Sequence, residues 1–189
     1  DDNDDSYALE FLAQVLGGSR TARLTKPMVY DMQVASAVNA FNNTAENSGG
    51  FIVQVTPRPG HTLTELEAAA DTIIARLKRE GPTAEELAKA AAALEFPFVS
   101  QLQSNLGKAE ILLNGLVFKK DAAHYKVDYA RLKSVSAADV KRVASKYLVA
   151  GRVVLSVVPL QKPDQAAKAD KSVKVTVAPD GGHYIMGTR

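Results

Sequence analysis

The first apolar positions of the chain recur at helical spacing. Over residues 7–16 they fall three or four positions apart, which makes one face of a helix apolar. Gly17-Gly18 follows at once, and glycine is typical of a helix end. A second helix is predicted over about residues 19–33, with a kink at Pro27 because proline lacks the amide donor that a helix interior needs.

Two later stretches have the shorter period of β-strands. VASAVNAF, residues 34–41, alternates weakly, and FIVQVT, residues 51–56, places apolar residues on one face. A loop rich in turn formers separates them, so the two should form an antiparallel, hairpin-like pair. GRVVLSVVP, residues 151–159, is almost continuously apolar, which predicts a central strand.

Most of the remaining chain is predicted to be helical. Capping boxes mark two helix starts, at Thr62–Glu65 and Thr83–Glu86, and Ser136–Asp139 caps the last helix. The long helical region after the second box should break or bend near Pro97 and again near Gly107. Tyr125, Tyr129 and Leu132 mark one more helix.

This order predicts an α+β fold, an antiparallel sheet with helices packed on one face. Residues 1–159 should form the domain, and residues 160–189 a linker-like tail in which only SVKVTV, residues 172–177, could be a short edge strand. Three strands make a thin sheet under so many helices. Either strands are missing from this piece or a partner supplies them.

Composition excludes several classes of function. The net charge is +2, from 23 basic and 21 acidic residues that are interspersed, which argues against a nucleic-acid partner. The chain has no cysteine, so disulfides and cysteine-based metal or nucleophile chemistry are excluded. The apolar runs are too short to predict a membrane span. The chain begins DDNDDS, without an initiator methionine or signal peptide, as a processed or excised piece would.

The sequence carries no catalytic or metal-binding signature. His61, His124 and His183 are far apart, and no HxxEH pattern or G-x-S-x-G elbow is present. GGSRTAR, residues 17–23, is the one phosphate-like candidate. Its glycines follow a helix rather than a strand and lack P-loop spacing, so they are interpreted as a helix stop and turn.

Four landmarks in order resemble the pitrilysin/insulinase-type zinc peptidases, the family that includes the mitochondrial processing peptidases. LGGSRTARLTKPMVYDMQVA resembles "L-GG-xx-S-R-L … L-V-Y-E-x-Q-x-A", and GPTAEELAKA resembles "G-x-T-x-E-E-L-x-x-A". SVSAADVKRVASKYL and VVLSVVP are similar to the family's later "V-T-x-x-D-V-x-x-V-A-x-x-Y-L" and terminal "V-x-V-V-P" segments. The resemblance covers about residues 6–159.

The resemblance implies a C-terminal, non-metal-binding unit, present here as an incomplete α/β unit of a longer peptidase. In the family such units pair as halves of a chamber, and a different unit binds zinc through an inverted HxxEH helix. Zinc is therefore expected in a metal-binding domain of the same or a companion chain. This chain alone should contain no catalytic or metal-ligating residue and should be inactive.

One pair of residues has the spacing of the family's substrate-contacting arginine and tyrosine. Arg23 and Tyr30 lie seven positions apart, which makes them the candidate substrate-binding residues. An ungapped alignment on the landmarks instead puts Val29 and Ser36 at the family pair's positions. On that alternative, Arg23 satisfies helix-end carbonyls or an acid, and Tyr30 packs at the helix–sheet boundary.

The leading hypothesis is a non-catalytic domain of a zinc-dependent metallopeptidase that closes the substrate chamber and helps to hold a peptide. The competing hypothesis is an inactive scaffold or assembly protein of the same fold, and a third is a phosphate-ligand enzyme that uses GGSRTAR. The expected partners are a peptide and the metal-binding domain, and an open sheet edge would allow a homodimer. A bacterial periplasmic or envelope location is an expectation from the resemblance.

Overall fold

The computed structural model describes residues 5–44, 49–160 and 162–167. Within these ranges the helices are α1 (Asp5–Gly17), α2 (Leu63–Glu80), α3 (Ala84–Gln101), α4 (Asn105–Lys119), α5 (Tyr125–Ser134) and α6 (Ala137–Tyr147). The strands are β1 (Ala35–Thr44) and β2 (Gly49–Pro57). The edge strand predicted at residues 172–177 lies outside the described residues.

The first helix is the centre of the core. α1 packs against β1, α3 and α6, and both Leu12 and Leu16 are fully buried. Burying side chains of this size on one helix contributes roughly 1.5–3 kcal/mol each. The helical spacing of apolar residues in the sequence therefore identified the element on which β1, α3 and α6 pack.

The predicted second helix is wrong over most of its length. Residues 19–24 form turns, and only Lys26–Asp31 is helical, as a short π-helix. The Met32 amide donates to the Pro27 carbonyl at 2.8 Å, a bond across five residues that suits a proline at the helix start. The turns hold because the amides of Arg23 and Leu24 donate at 2.9 Å to the last carbonyls of α1.

The predicted antiparallel strand pair is confirmed. β1 pairs with β2 in a register that sets Val38 opposite Val55 and Ala40 opposite Val53. Side chains of β2 alternate in burial: Phe51, Val53 and Val55 pack on the core, whereas the residues between them are exposed. One face of the sheet thus covers the helices, which confirms an α+β fold with helices packed on an antiparallel sheet.

The predicted central strand at residues 151–159 is wrong. None of these residues has strand pairing, and Val153, Leu155 and Val157 are 95%, 84% and 84% exposed. A near-continuous apolar run is typical of a strand that has a neighbour on both sides. Among the described residues the sheet has only the strands β1 and β2, so this run has no neighbour to pair with.

The break in the long helical region lies between its two predicted positions, close to Gly107 and not at Pro97. α3 continues through Pro97 and ends at Gln101, and α4 starts after Ser104, whose hydroxyl accepts from the Gly107 amide at 2.9 Å. Gly107 is inside α4, where a Cβ would lie 2.1 Å from the Gln101 carbonyl oxygen. This glycine therefore allows the two helix ends to touch rather than breaking a helix. No helix in the described ranges is long and apolar enough to span a bilayer.

Candidate functional site

Arg23, one of the two candidate substrate-binding residues, lies at the junction of three elements. Its side chain is 13% exposed. Nε and Nη2 donate to the two carboxylate oxygens of Glu86 at 2.7 and 2.9 Å, and Nη2 also donates to the Gly81 carbonyl at 3.1 Å. Glu80 lies 3.5 Å from Nη1. The guanidinium thus joins the turn after α1 to the end of α2 and the start of α3.

The N-terminal cap of α3 holds the Glu86 side chain in position for this contact. It is the third residue of α3, and the Thr83 amide donates to its carboxylate at 2.8 Å while its amide donates to the Thr83 hydroxyl at 3.2 Å. Burial acts to raise the pKa of Glu86, but the hydrogen bond and charge of Arg23 and the bonds from Thr83 lower it overall. The hydrogen bond to Glu86 in turn raises the pKa of Arg23. Both groups are held charged, which suits a structural ion pair.

Tyr30, the second candidate, lies on the π-helix Lys26–Asp31 and is 49% exposed. Its neighbours at the two ends of the π-helix, Lys26 and Asp31, form an ion pair at 2.9 Å. Tyr30 is thus solvent-accessible, whereas the guanidinium of Arg23 is enclosed by acids. The structure places the two residues on one connection, between α1 and β1, but in different environments.

The described histidines are engaged separately. His61 Nδ1 lies 3.0 Å from Glu65, and His124 Nε2 lies 3.4 Å from Asp128, whose carboxylate also accepts from the Tyr7 hydroxyl at 2.6 Å. His183 lies outside the described residues. No group of three or more His, Cys, Asp or Glu side chains within residues 5–44, 49–160 and 162–167 could hold a metal ion.

A second charged cluster connects α1 with α6. Asp5, 5% exposed, accepts from Arg142 at 2.5 Å, Lys146 at 2.7 Å and the Tyr147 hydroxyl at 2.9 Å, all on α6. The hydrogen bonds from Lys146 and then Arg142 lower the pKa of Asp5 from its ordinary value of 3.8 to about 2, against the opposing effect of burial. The cluster links the start of α1 to the last helix.

We expect Asp5→Asn to lower the free energy of unfolding by about 2 kcal/mol at pH 7. Because the folded-state pKa of Asp5 is depressed, its carboxylate makes its full contribution to the free energy of unfolding above about pH 4. This contribution is lost as the pH falls toward 2. Urea denaturation of both proteins between pH 2 and 7 measures it. The exposed Asp31→Asn is the control and should change stability by less than about 0.5 kcal/mol. A wild-type advantage that stays constant down to pH 2 would contradict the assignment.

An open groove of about 1030 Å³ lies beside β2. Its lining residues come from β2, from α2 and from the segment of residues 147–157. Its charged groups, Glu67 and Arg152, lie 2.7 Å apart and pair with each other. The groove is lined mainly by apolar side chains.

The sequence model described as "Peptidase M16 inactive domain" matches residues 1–94. This chain belongs to the peptidase M16 inactive domain family. The match includes α1, the β1–β2 pair, α2 and the first part of α3, and so includes the Arg23–Glu86 contact.

Proteins similar to this chain are described as proteases. A protein of Bacillus subtilis (strain 168) named "Uncharacterized zinc protease YmxG" is 32% identical over 116 residues, which cover 57% of this chain and 27% of that protein. A crystal structure of the inactive peptidase domain of a candidate zinc protease from Bordetella parapertussis superposes with a TM-score of 0.70 at 20% identity, over 86% of this chain and 88% of that one. A protease from Helicobacter pylori gives a TM-score of 0.69 at 21% identity, over 78% of this chain and 36% of that one.

This chain therefore spans about a quarter of the length of the curated relative that it matches. The structural likenesses are too distant in sequence to show more than the fold. Sequence reasoning missed that two of the landmark segments touch, because Arg23 and Glu86 are 63 positions apart. The one signal available was that each segment carried a charged residue of opposite sign beside a predicted helix end.

Proposed function

We propose that this chain is a non-catalytic domain of a zinc-dependent metallopeptidase and that it forms part of the chamber in which a peptide is held. The observation that carries this function is the match of residues 1–94 to the inactive domain of peptidase M16. Zinc would be bound by a metal-binding domain of the same or a companion chain, as expected for a relative of a protein named as a zinc protease. The alternative of a scaffold without peptidase activity is not favoured by these relatives.

Exposed apolar side chains support a role as one unit of a larger assembly. On α4, Leu106, Leu113 and Phe118 are 72%, 57% and 61% exposed. Exposed apolar surface of this kind is typical of surfaces that another unit covers. A metal-binding domain packed against this unit would remove these side chains from water.

Peptidase assays on the complete polypeptide, or on this chain with its companion, test the proposed function. Three samples are compared on an internally quenched peptide: the complete assembly, the assembly without residues 1–189, and residues 1–189 alone. We expect chelator-sensitive cleavage only by the complete assembly. Full activity without residues 1–189, or chelator-sensitive cleavage by residues 1–189 alone, would reject a role in the chamber.

Within that chamber we propose Arg23 and Tyr30 as the residues nearest to substrate, with different parts to play. The contacts of Arg23 with Glu86 and Gly81 support positioning of the connection, whereas the exposure of Tyr30 supports direct contact with the peptide. In the active assembly, Tyr30→Phe should lower kcat/KM about tenfold with no change in thermal stability. Tyr125→Phe, on α5, is the matched control. Equal kinetics for both variants would exclude a contact through the Tyr30 hydroxyl.

Two further expectations remain proposals. The boundary of the domain at residue 159 stays a prediction. Beyond it, Ala167 contacts the rest of the chain, since its amide donates to the Ser156 hydroxyl and its carbonyl accepts from Thr64, both at 3.1 Å.

A homodimer of the isolated chain, formed by helix packing or edge pairing, is also proposed. Sedimentation velocity across a hundredfold concentration range measures it.

A further inference from the structure

The two strands of the sheet contain no charged side chain. β1 reads ASAVNAFNNT and β2 reads GGFIVQVTP, so neither the ten residues of the first nor the nine of the second include Asp, Glu, Lys, Arg or His. In a chain in which 23% of the residues are charged, strands of this length would ordinarily carry several. Open strands commonly place charges on their solvent-facing positions, which discourages unwanted pairing. The exposed face of this sheet is neutral instead, and exposure to water does not explain why.

The outer face of the sheet, which points away from the helices, combines amide and apolar side chains. Three cross-strand pairs form it, and all six side chains are exposed: Ala37 with Thr56, Asn39 with Gln54, and Phe41 with Ile52. The side-chain amides of Asn39 and Gln54 can each donate and accept hydrogen bonds. Phe41 and Ile52, which are 42% and 39% exposed, place an apolar pair beside them.

The size of the outer face suits a peptide better than a folded partner. Residues of a strand rise about 3.4 Å each and the two strands lie about 4.8 Å apart, so the face is roughly 30 Å long and roughly 10 Å wide. Its area is therefore about 300 Å², well below the roughly 800 Å² per partner that a stable protein–protein interface buries. An extended peptide of about nine residues has the same length as the face.

The outer face begins beside the connection that carries the proposed substrate contact. The π-helix Lys26–Asp31, which contains Tyr30, packs against β1. Met32, 47% exposed, follows this helix, and β1 begins three residues later at Ala35. A peptide in contact with the Tyr30 hydroxyl would thus lie near the start of the sheet.

We propose that the outer face of the sheet is a wall against which a peptide substrate lies, and that this wall selects peptide segments without charged side chains. The inference rests on the proposed function, since a peptide reaches the face only if the chain forms part of a chamber. A charged side chain against the wall would lose part of its hydration and gain no counter-charge, whereas a neutral one loses little. The amides of Asn39 and Gln54 would bind backbone groups of the peptide.

Matched peptides test this selection in the complete assembly. One internally quenched peptide contains glutamines and no charged residue, and in its derivatives each glutamine in turn is replaced by Glu or by Lys. At the positions that lie on the wall, we expect both replacements to lower kcat/KM by about tenfold. Equal kcat/KM for neutral and charged peptides, or a loss with one sign of charge only, would overturn the neutral wall and leave the proposed function intact. If the complete assembly cleaved no peptide, both would be rejected.

A matched pair of variants tests where the peptide lies. Ile52 and Val127 are both aliphatic and are 39% and 41% exposed, but Val127 lies on α5. Ile52→Lys should raise kcat/KM for the Glu peptides about tenfold above that for the Lys peptides, and Ile52→Asp should reverse this order. Val127→Lys should leave the ratio at its wild-type value. Because each ratio is measured on one protein preparation, a partial loss of folded protein does not change it.

Two results would assign the outer face to another occupant. If Ile52→Lys abolished cleavage of every peptide and Val127→Lys did not, the face would be packed against another domain. If residues 1–189 formed a dimer in sedimentation velocity that Ile52→Lys dissociated and Val127→Lys did not, a second copy would cover the face. Either result, or an Ile52→Lys ratio equal to that of Val127→Lys, overturns the proposal.

Discussion

Arg23→Ala is expected to lower the free energy of unfolding of this domain by about 3 kcal/mol. The substitution removes one partner of a largely buried ion pair and leaves Glu86, whose side chain is 23% exposed, without its main counter-charge. It also removes the donor to the Gly81 carbonyl at the end of α2. Urea denaturation at pH 7 measures the change. The loss should be accompanied by looser docking of α3, seen as faster amide exchange at its start.

Two controls separate this ion pair from a general effect of charge. Arg20→Ala removes an exposed arginine from the same connection and should change stability by less than about 0.5 kcal/mol. The double variant Arg23→Met with Glu86→Gln should be more stable than Arg23→Ala, because no buried charge is left unpaired. Equal stability losses for Arg20→Ala and Arg23→Ala would show that the Glu86 contact has no structural role.

Gly17→Ala is expected to destabilise the domain by about 1–3 kcal/mol. A Cβ on Gly17 would lie 2.6 Å from the backbone nitrogen of Ala40 and 3.0 Å from the carbonyl carbon of Asn39. Because these are backbone atoms of β1, no side-chain rotation relieves the clash, and α1 must move away from the sheet. Thermal unfolding followed by circular dichroism measures the effect.

Gly50→Ala is the matched control for that substitution. A Cβ on Gly50 would meet no atom within 4 Å, and this glycine does not have a positive φ. The free energy of unfolding of the Gly50→Ala variant should therefore stay within about 0.5 kcal/mol of the wild-type value. If Gly17→Ala were equally neutral, the close approach of α1 to β1 would not be a requirement of the fold.

Local sequence patterns predicted the elements that carry their own signals. The capping boxes at Thr83 and Ser136 form as the sequence predicts, because all of their donors and acceptors lie within four residues. The β1–β2 pair was predicted for the same reason, since a short loop and alternating residues determine an antiparallel pairing. The family resemblance stated from the motifs is confirmed by the match of residues 1–94.

The predictions that were wrong depended on long-range partners. Residues 19–24 are not helical because the amides of Arg23 and Leu24 bond back to the end of α1 rather than along a new helix. Residues 151–159 are apolar enough for a central strand, but a strand also needs neighbours, and composition does not reveal whether these are present. An acid was one expected partner of Arg23, but Glu86 in particular could not be predicted, because opposite charges do not specify a contact across 63 residues.

The landmark LGGSRTAR has a structural role at each end. Gly17 permits close contact with β1, and Arg23 joins the connection after α1 to α2 and α3. The position of the glycines after a helix favours a helix stop over a phosphate loop. The contacts of Arg23 with Glu86 agree with that interpretation. A phosphate would have to displace this paired carboxylate before it could reach the guanidinium.

Zinc content is the most direct measure of whether this chain is the non-catalytic unit of a metallopeptidase. The chain and the complete polypeptide would each be equilibrated with zinc, dialysed and analysed by plasma mass spectrometry. We expect about one tightly bound zinc per complete polypeptide and well under about 0.1 per molecule of residues 1–189. One tightly bound equivalent in residues 1–189, removable only by a strong chelator, would contradict the account.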